Sequence, residues 1–214
     1  MLTLFRLVLA VGFFASLNAY RYPSENILWA AIAIFIFIVA AITDAFDGYL
    51  ARKWQVISTF GRLMDPFCDK VLVLGAFIYL AGPRFLVPEW VEEGSFFTMA
   101  TGVYPWMVVV ILTRELLVTG IRGVIESMGV SCGSKWSGKA KMILQSIVIP
   151  TIIFVVIVFR PGQHLWALRV CDVLIYATVI VTVWSGLPYV LAMRATLAKL
   201  KEMDEKDKKE EGSA

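Results

Sequence analysis

Long runs of apolar residues restrict what this chain can fold into more than any other feature. A helix that crosses a bilayer needs roughly 20 predominantly apolar residues. Windows of this kind occur near 4–20, 27–51, 62–82, 104–126, 139–160 and 170–193. Turn-forming residues such as Tyr22-Pro23-Ser24 and Gly82-Pro83 separate them. The pattern predicts an all-α, polytopic integral membrane protein with about six transmembrane helices.

Composition excludes several other classes of protein. Of the 214 residues, 59% are hydrophobic and 17% are charged, whereas soluble domains are about half apolar and a quarter charged. A formal charge of +3 is too small an excess to indicate nucleic-acid binding. The three cysteines form no C-x-x-C pair and have no histidine nearby, which fits neither a disulfide framework nor a zinc site.

Basic residues predict the orientation, because Lys and Arg accumulate on the cytoplasmic side of membrane proteins. With alternate loops assigned to opposite faces, 16 of the 20 Lys and Arg residues fall on one face. The other face carries Arg21, Arg84, Arg160 and Arg169. We therefore expect a multi-pass protein of the cell (inner) membrane with both termini in the cytoplasm. Residues 1–193 would form the membrane-embedded domain, and residues 194–214 a charged cytoplasmic tail.

Aspartates within the first five apolar runs are confined to one place. Before residue 172 the chain contains four aspartates, at the cytoplasmic ends of the second and third spans: Asp44, Asp47, Asp65 and Asp69. An Asp in the middle of a bilayer costs about 2.5–3.5 kcal/mol on the insertion scale, so we expect these side chains to face the protein interior. At the 100° per residue of an α-helix, each pair shares one face of its span.

Two interpretations of this aspartate cluster are open. Neighbouring basic residues could neutralise it in interfacial ion pairs that only anchor the helix ends. Alternatively, an all-oxygen site without His or Cys suits a hard divalent cation. Four carboxylates suit two such ions, a recurrent device for phosphoryl transfer. The shared faces favour the second interpretation, with two Mg²⁺ or Mn²⁺ ions at the cytoplasmic face.

The aspartates belong to a longer pattern of fixed spacing, Asp44-x2-Asp47-Gly48-x2-Ala51-Arg52-x8-Gly61-x3-Asp65-x3-Asp69. This pattern resembles the signature of the CDP-alcohol phosphatidyltransferase family, and every signature position matches. If each of the eight residues has a typical amino-acid frequency of about 5–10%, the pattern would match by chance at roughly one starting position in a billion. The resemblance covers nearly the whole chain except the tail.

The resemblance implies a role for each signature residue. Asp44, Asp47 and Asp65 would be principally metal ligands, and Asp69 would be both a ligand and the base that removes the proton of the acceptor hydroxyl. The two ions would bind the diphosphate of a CDP-linked lipid. The residues expected to form the CDP-lipid pocket are Gly48, Ala51, Arg52 and Gly61, with Thr43 beside the signature helping to orient it. The resemblance also implies a homodimer.

Basic residues near the cytoplasmic ends of the fourth and fifth spans indicate the kind of acceptor. They are Arg114, Arg122, Lys139 and Lys141. Arg can grip a phosphate in bidentate fashion and Lys acts as a point charge, so the set predicts a pocket for the phosphate of an anionic acceptor. They could instead be ordinary positive-inside residues, balanced by nearby glutamates.

The amino-acid sequence of these segments favours a phosphorylated acceptor. Thr113-Arg114-Glu115, Gly120-Ile121-Arg122 and Gly138-Lys139-Ala140-Lys141 resemble the bacterial branch of the family that uses glycerol 3-phosphate. Met142 and Pro188 depart from the residues usual in that branch, which bears on the acceptor more than on the reaction class. We therefore expect an enzyme of phospholipid biosynthesis that transfers a phosphatidyl group from CDP-diacylglycerol to glycerol 3-phosphate and releases CMP.

Three alternatives remain. The same reaction could use inositol phosphate, serine or phosphatidylglycerol as acceptor. A transporter could use membrane carboxylates to carry protons or cations, although all four aspartates lie near one surface and no inverted repeat is visible. A structural membrane protein with interfacial ion pairs would leave the shared helix faces unexplained.

Overall fold

The structure is a computed structural model that describes residues 2–24, 26–54, 59–95, 98–128, 136–161 and 163–211, with the backbone alone for 2–4, 44–54, 59–69, 126, 137 and 195–211. The described residues form seven α-helices and one 3₁₀ turn, with no β-strand among them. The helices are α1 (Leu2–Ala19), α2 (Leu28–Trp54), α3 (Thr59–Leu80), α4 (Pro88–Glu92), α5 (Pro105–Ser127), α6 (Trp136–Phe159) and α7 (Leu165–Glu211). The predicted all-α class is confirmed.

Each of the six predicted spans corresponds to one long helix, namely α1, α2, α3, α5, α6 or α7. The largest difference is in α7, which begins at Leu165 rather than near residue 170 and continues to Glu211. The continuation follows from composition, since the tail is rich in Ala, Leu, Lys and Glu, all of which favour helix. The backbone of the charged tail is therefore an extension of the last apolar helix.

The helices pack as two connected groups. α1 lies against α2 and α3, while α7 lies against α5 and α6; α2 and α3 also contact α6, and α3 contacts α5. Buried aromatic rings fill the first group, where Phe13 of α1 lies 5.5 Å from Phe37 of α2 between ring centroids. Buried aliphatic side chains such as Ile149 and Ile152 fill the second. α3 and α6 connect the two groups.

The outside of the bundle is apolar. More than half of each of several large side chains is exposed, including Val8, Phe35, Val109, Ile147 and Val173. Such a spread is unusual on a protein surrounded by water. Two segments, Gly138–Phe159 and Leu165–Arg194, are long and apolar enough to cross a membrane by length and composition. The count of six spans stays a prediction.

An ordered connection closes the end of the bundle opposite the signature. Between α3 and α5 the chain makes a 3₁₀ turn, Pro83–Phe85, the short helix α4 and an antiparallel bridge between Leu86 and Met99. The buried Thr101 hydroxyl donates to the carbonyl of Leu80 at 2.8 Å. This connection ties the end of α3 to the start of α5, which brings the other ends of these helices side by side.

Candidate active site

The signature residues lie on the end of α2 and the start of α3. The backbone of Asp44 and Asp47 is helical in α2, and that of Asp65 and Asp69 is helical in α3. The register therefore keeps each pair on one face of its helix, as predicted. The side chains of all four lie outside the described residues, as do those of Gly48, Ala51, Arg52 and Gly61. Their convergence on two metal ions stays a prediction.

The predicted orienting residue beside the signature is described. Thr43 is partly buried, and its hydroxyl donates to the carbonyl of Val39, one turn earlier in α2, at 2.8 Å. This hydrogen bond is internal to the helix. It fixes the Thr43 side chain against its own helix, immediately before the first signature aspartate.

A polar contact connects the signature end of α3 to α5. Lys70, which directly follows Asp69 in α3, donates to the hydroxyl of Thr119 in α5. That hydroxyl in turn donates to the backbone carbonyl of Glu115 at 2.7 Å. The basic segment of α5 therefore lies beside the helix that carries the predicted base.

Glu115 is the centre of a buried cluster of charges. Its Oε1 atom accepts a hydrogen bond from Arg114 Nη1 at 2.8 Å and another from Lys141 Nζ in α6. The side chains of Arg114, Glu115 and Lys141 are 10%, 9% and 7% exposed. Two cations therefore share one carboxylate, and the three side chains together carry one excess positive charge.

Helix α7 holds the other side of the Arg114 guanidinium. Arg114 Nε donates to the carbonyl of Thr182 at 3.1 Å, and Nη2 donates to the hydroxyl of Ser185 at 2.7 Å. Gln145 of α6 reaches the Thr182 hydroxyl at 3.3 Å. The cluster thus joins α5, α6 and α7 and sets the direction of the guanidinium.

The four predicted acceptor residues are not all brought together. Arg114 and Lys141 meet at Glu115 in the buried cluster. Lys139 is exposed near the start of α6. Arg122 is partly buried about two turns beyond Arg114 on the same helix. The structure therefore separates a buried pair of cations from two more peripheral ones.

Sequence reasoning missed the polar residues that hold the buried pair. In the sequence, Glu115 is only one of the glutamates near Arg114, and the contacts of Thr182, Ser185 and Gln145 are not predicted. A signal was present, because Thr182 and Ser185 stand three residues apart in an apolar helix and Gln145 stands four residues after Lys141. Polar residues at helical spacing inside apolar segments indicate an interhelical contact.

Metal binding is not located among the described side chains. In that part of the chain, no group of three or more His, Cys, Asp or Glu residues could hold a metal ion. The side chains of the signature aspartates lie outside that part of the chain. Their chemistry still fits hard divalent cations, since carboxylate oxygens are the ligands that Mg²⁺ and Mn²⁺ prefer.

The fold and the helical signature define a class of protein, and comparison with known proteins gives the same class. The model of the CDP-alcohol phosphatidyltransferase family matches residues 1–184. The chain belongs to this family of enzymes.

Several proteins that are similar to this chain share one description. The chain is 31% identical over 204 residues to the CDP-diacylglycerol--glycerol-3-phosphate 3-phosphatidyltransferases of Shigella flexneri serotype 5b (strain 8401) and Escherichia coli (strain K12). The match covers 92% of this chain and 94% of each relative. The protein of the same description from Shigella boydii serotype 4 (strain Sb227) is similar to the same extent.

Proposed function

We propose that this enzyme transfers a phosphatidyl group from CDP-diacylglycerol to sn-glycerol 3-phosphate, forming phosphatidylglycerophosphate and CMP. The names of its relatives support both substrates. The observation that carries the proposal is the excess positive charge of the buried Arg114–Glu115–Lys141 cluster. An excess charge in a buried site is unfavourable, and a phosphate on the acceptor would supply a counter-charge.

The proposed reaction is a displacement at phosphorus. The acceptor hydroxyl oxygen bonds to the phosphorus of the phosphatidyl group, the bond from that phosphorus to CMP breaks, and Asp69 takes the hydroxyl proton. A base must lie within hydrogen-bond reach of the proton that it removes. Lys70, which follows Asp69, contacts α5 one turn from Glu115. This adjacency supports an acceptor phosphate on α5 and α6 with its hydroxyl toward α3.

The signature residues complete the proposed donor site. Asp44, Asp47 and Asp65, together with Asp69, would hold two divalent cations, Mg²⁺ or Mn²⁺. Bound there, the ions would polarise the attacked phosphoryl group and stabilise the departing CMP. Gly48, Ala51, Arg52 and Gly61 would line the pocket for the cytidine and phosphates, and small residues permit a close approach.

The proposal includes a location. We place the helices across the cell membrane, with the signature, the buried cluster and both termini on the cytoplasmic side. The count of 16 basic residues against 4 supports this orientation. A homodimer within the bilayer is part of the same proposal and rests on the family resemblance.

A CMP-release assay across a panel of acceptors tests the proposal. Purified protein receives CDP-diacylglycerol, Mg²⁺ and one acceptor at a time: glycerol 3-phosphate, inositol phosphate, serine, phosphatidylglycerol or none. We expect the fastest release with glycerol 3-phosphate. Faster release with another acceptor would contradict the proposed substrate, and no release with any of them would favour the transporter alternative.

Replacing the proposed base tests the mechanism. General base catalysis contributes about 10²–10⁴-fold, so Asp69→Asn should lower CMP release by at least about a hundredfold while the protein still folds. The matched control is Asp172→Asn in α7. Asp172 lies beside Gly102 of the connection between α3 and α5, so this variant should retain activity. Turnover of Asp69→Asn near that of Asp172→Asn would show that Asp69 is not the base.

A further inference from the structure

The sharing of one carboxylate by two cations gives Glu115 a role that neither the signature nor the basic residues provide. We infer that Glu115 is a positioning residue for the acceptor. Its Oε1 atom holds Arg114 of α5 and Lys141 of α6 at a common point, so that their remaining N–H groups can close on one phosphate. The inference rests on the proposed function and adds to it a residue that acts through its two neighbours.

A count of hydrogen-bond donors shows that the two cations can still bind a phosphate. A guanidinium has five N–H groups. Within the described part of the chain, three of those of Arg114 donate hydrogen bonds, to Glu115, the Thr182 carbonyl and the Ser185 hydroxyl. A lysine ammonium has three N–H groups, of which Lys141 directs one to Glu115. Among the described residues, about two donors of each cation therefore make no hydrogen bond. Two cations offering two donors each match the several acceptor oxygens of a phosphate monoester.

Charge balance distinguishes this arrangement from a simple structural ion pair. A pair that only joined two helices would be best balanced one to one, because an excess charge in a buried site is unfavourable. Here two cations meet one carboxylate, and all three side chains are at most 10% exposed. Without the carboxylate, Arg114 and Lys141 would repel each other at close range. Glu115 therefore permits two cations to stand together while leaving one positive charge for a ligand.

The backbone of Glu115 is also tied to the reacting end of the bundle. Its carbonyl accepts a hydrogen bond from the Thr119 hydroxyl at 2.7 Å. The same hydroxyl accepts a hydrogen bond from Lys70. Lys70 directly follows Asp69 in α3. Glu115 thus links the position of the two cations to the helix that carries the proposed base.

Steady-state kinetics of Glu115→Gln test the inference. The full-length protein is purified in detergent, and glycerol 3-phosphate and CDP-diacylglycerol are varied separately. We expect the KM for glycerol 3-phosphate to rise about tenfold or more, the KM for CDP-diacylglycerol to stay within about twofold, and kcat to fall less than the acceptor KM rises. Glu92→Gln, the same change on an exposed residue of α4, is the matched control and should show neither effect.

Two further variants separate positioning from folding. Glu115→Asp keeps the charge but shortens the side chain, so its acceptor KM should lie between those of the wild type and Glu115→Gln. In the double variant Glu115→Gln/Lys141→Gln, the loss should be smaller than the product of the two single losses, because Glu115 acts partly through Lys141. A merely structural residue would lower the yield of folded protein without raising the acceptor KM alone.

The outcomes are distinguishable from failure of the proposed function. The wild-type acceptor panel identifies the preferred acceptor first, and each variant is then compared with the wild type on that acceptor. An unchanged acceptor KM in Glu115→Gln, or equal rises in both KM values, would overturn the inference whichever acceptor the wild type prefers. If Glu115→Gln does not fold, Glu115→Asp decides, and an unchanged acceptor KM in that variant has the same meaning.

Discussion

At the scale of single residues, Gly186 of α7 leaves little space beside the Arg114 side chain. A Cβ atom at Gly186 would lie 3.3 Å from Arg114 Cγ and 3.6 Å from its Nε. Alanine favours helix by about 1 kcal/mol over glycine, which offsets part of the crowding. We therefore expect Gly186→Ala to change the free energy of unfolding by less than about 1 kcal/mol, yet to raise the KM for glycerol 3-phosphate several-fold. Steady-state kinetics and thermal unfolding measure the two effects.

Gly12→Ala is the matched control for this change. Gly12 lies in α1, and a Cβ there would meet Ile36 Cδ1 at 3.6 Å, an ordinary contact. Its acceptor KM should equal that of the wild type. An unchanged KM in Gly186→Ala as well would show that small displacements of the Arg114 side chain do not affect acceptor binding.

At the scale of elements, α1 and α3 pack through an aromatic ring laid over a glycine. A Cβ at Gly75 would lie 2.8 Å from Phe14 Cε1 and still closer to Cζ. The ring cannot withdraw easily, because it stacks on Tyr79 with centroids 5.2 Å apart and lies 5.3 Å from the Phe13 ring. Gly75→Ala should therefore destabilise the protein by about 1–3 kcal/mol through overpacking, as measured by unfolding in detergent.

A compensating change tests the cause of that loss. Phe14→Leu removes the ring atoms nearest the new methyl group, so the double variant Phe14→Leu/Gly75→Ala should lose less stability than the sum of the single variants. Gly123→Ala in α5, where a new Cβ meets nothing within 4 Å in the described part of the chain, should be neutral or stabilising. Strict additivity of the two losses would refute the steric explanation.

The helices themselves could be predicted from the sequence, whereas their contacts could not. Apolar runs and breakers located all six long helices, and the helical register placed Asp44 with Asp47 on one face without any tertiary information. The meeting of Glu115 with Lys141 depends on the distance between α5 and α6, which no local pattern encodes. Gly102 is similar: its φ of +66° and its closeness to Asp172 follow from how the connection folds back on α7.

At the scale of the whole molecule, the two ends of the bundle differ in chemistry. One end has the ordered connection between α3 and α5, with exposed acidic residues on and just after α4. The other has the signature, the buried cluster and the charged tail extending from α7. In the sequence, the apolar run of α2 precedes Asp44 and the apolar run of α3 follows Lys70, so the signature lies at one end of both runs. This arrangement puts the signature at one end of the apolar segments, where, under the proposed function, a water-soluble acceptor would meet a lipid-linked donor.

Cysteine labelling of intact cells tests this arrangement. In a background with Cys68, Cys132 and Cys171 replaced, Glu92→Cys and Arg194→Cys introduce single thiols at two exposed positions, one in α4 and one at the start of the tail. Because Lys and Arg remain on the cytoplasmic side, a membrane-impermeant maleimide should label Glu92→Cys in intact cells. Arg194→Cys should react only after permeabilisation. The reverse pattern would invert the proposed orientation and place the signature outside. Labelling of both thiols in intact cells would put them on the same side of the membrane and would contradict the odd number of crossings predicted between them.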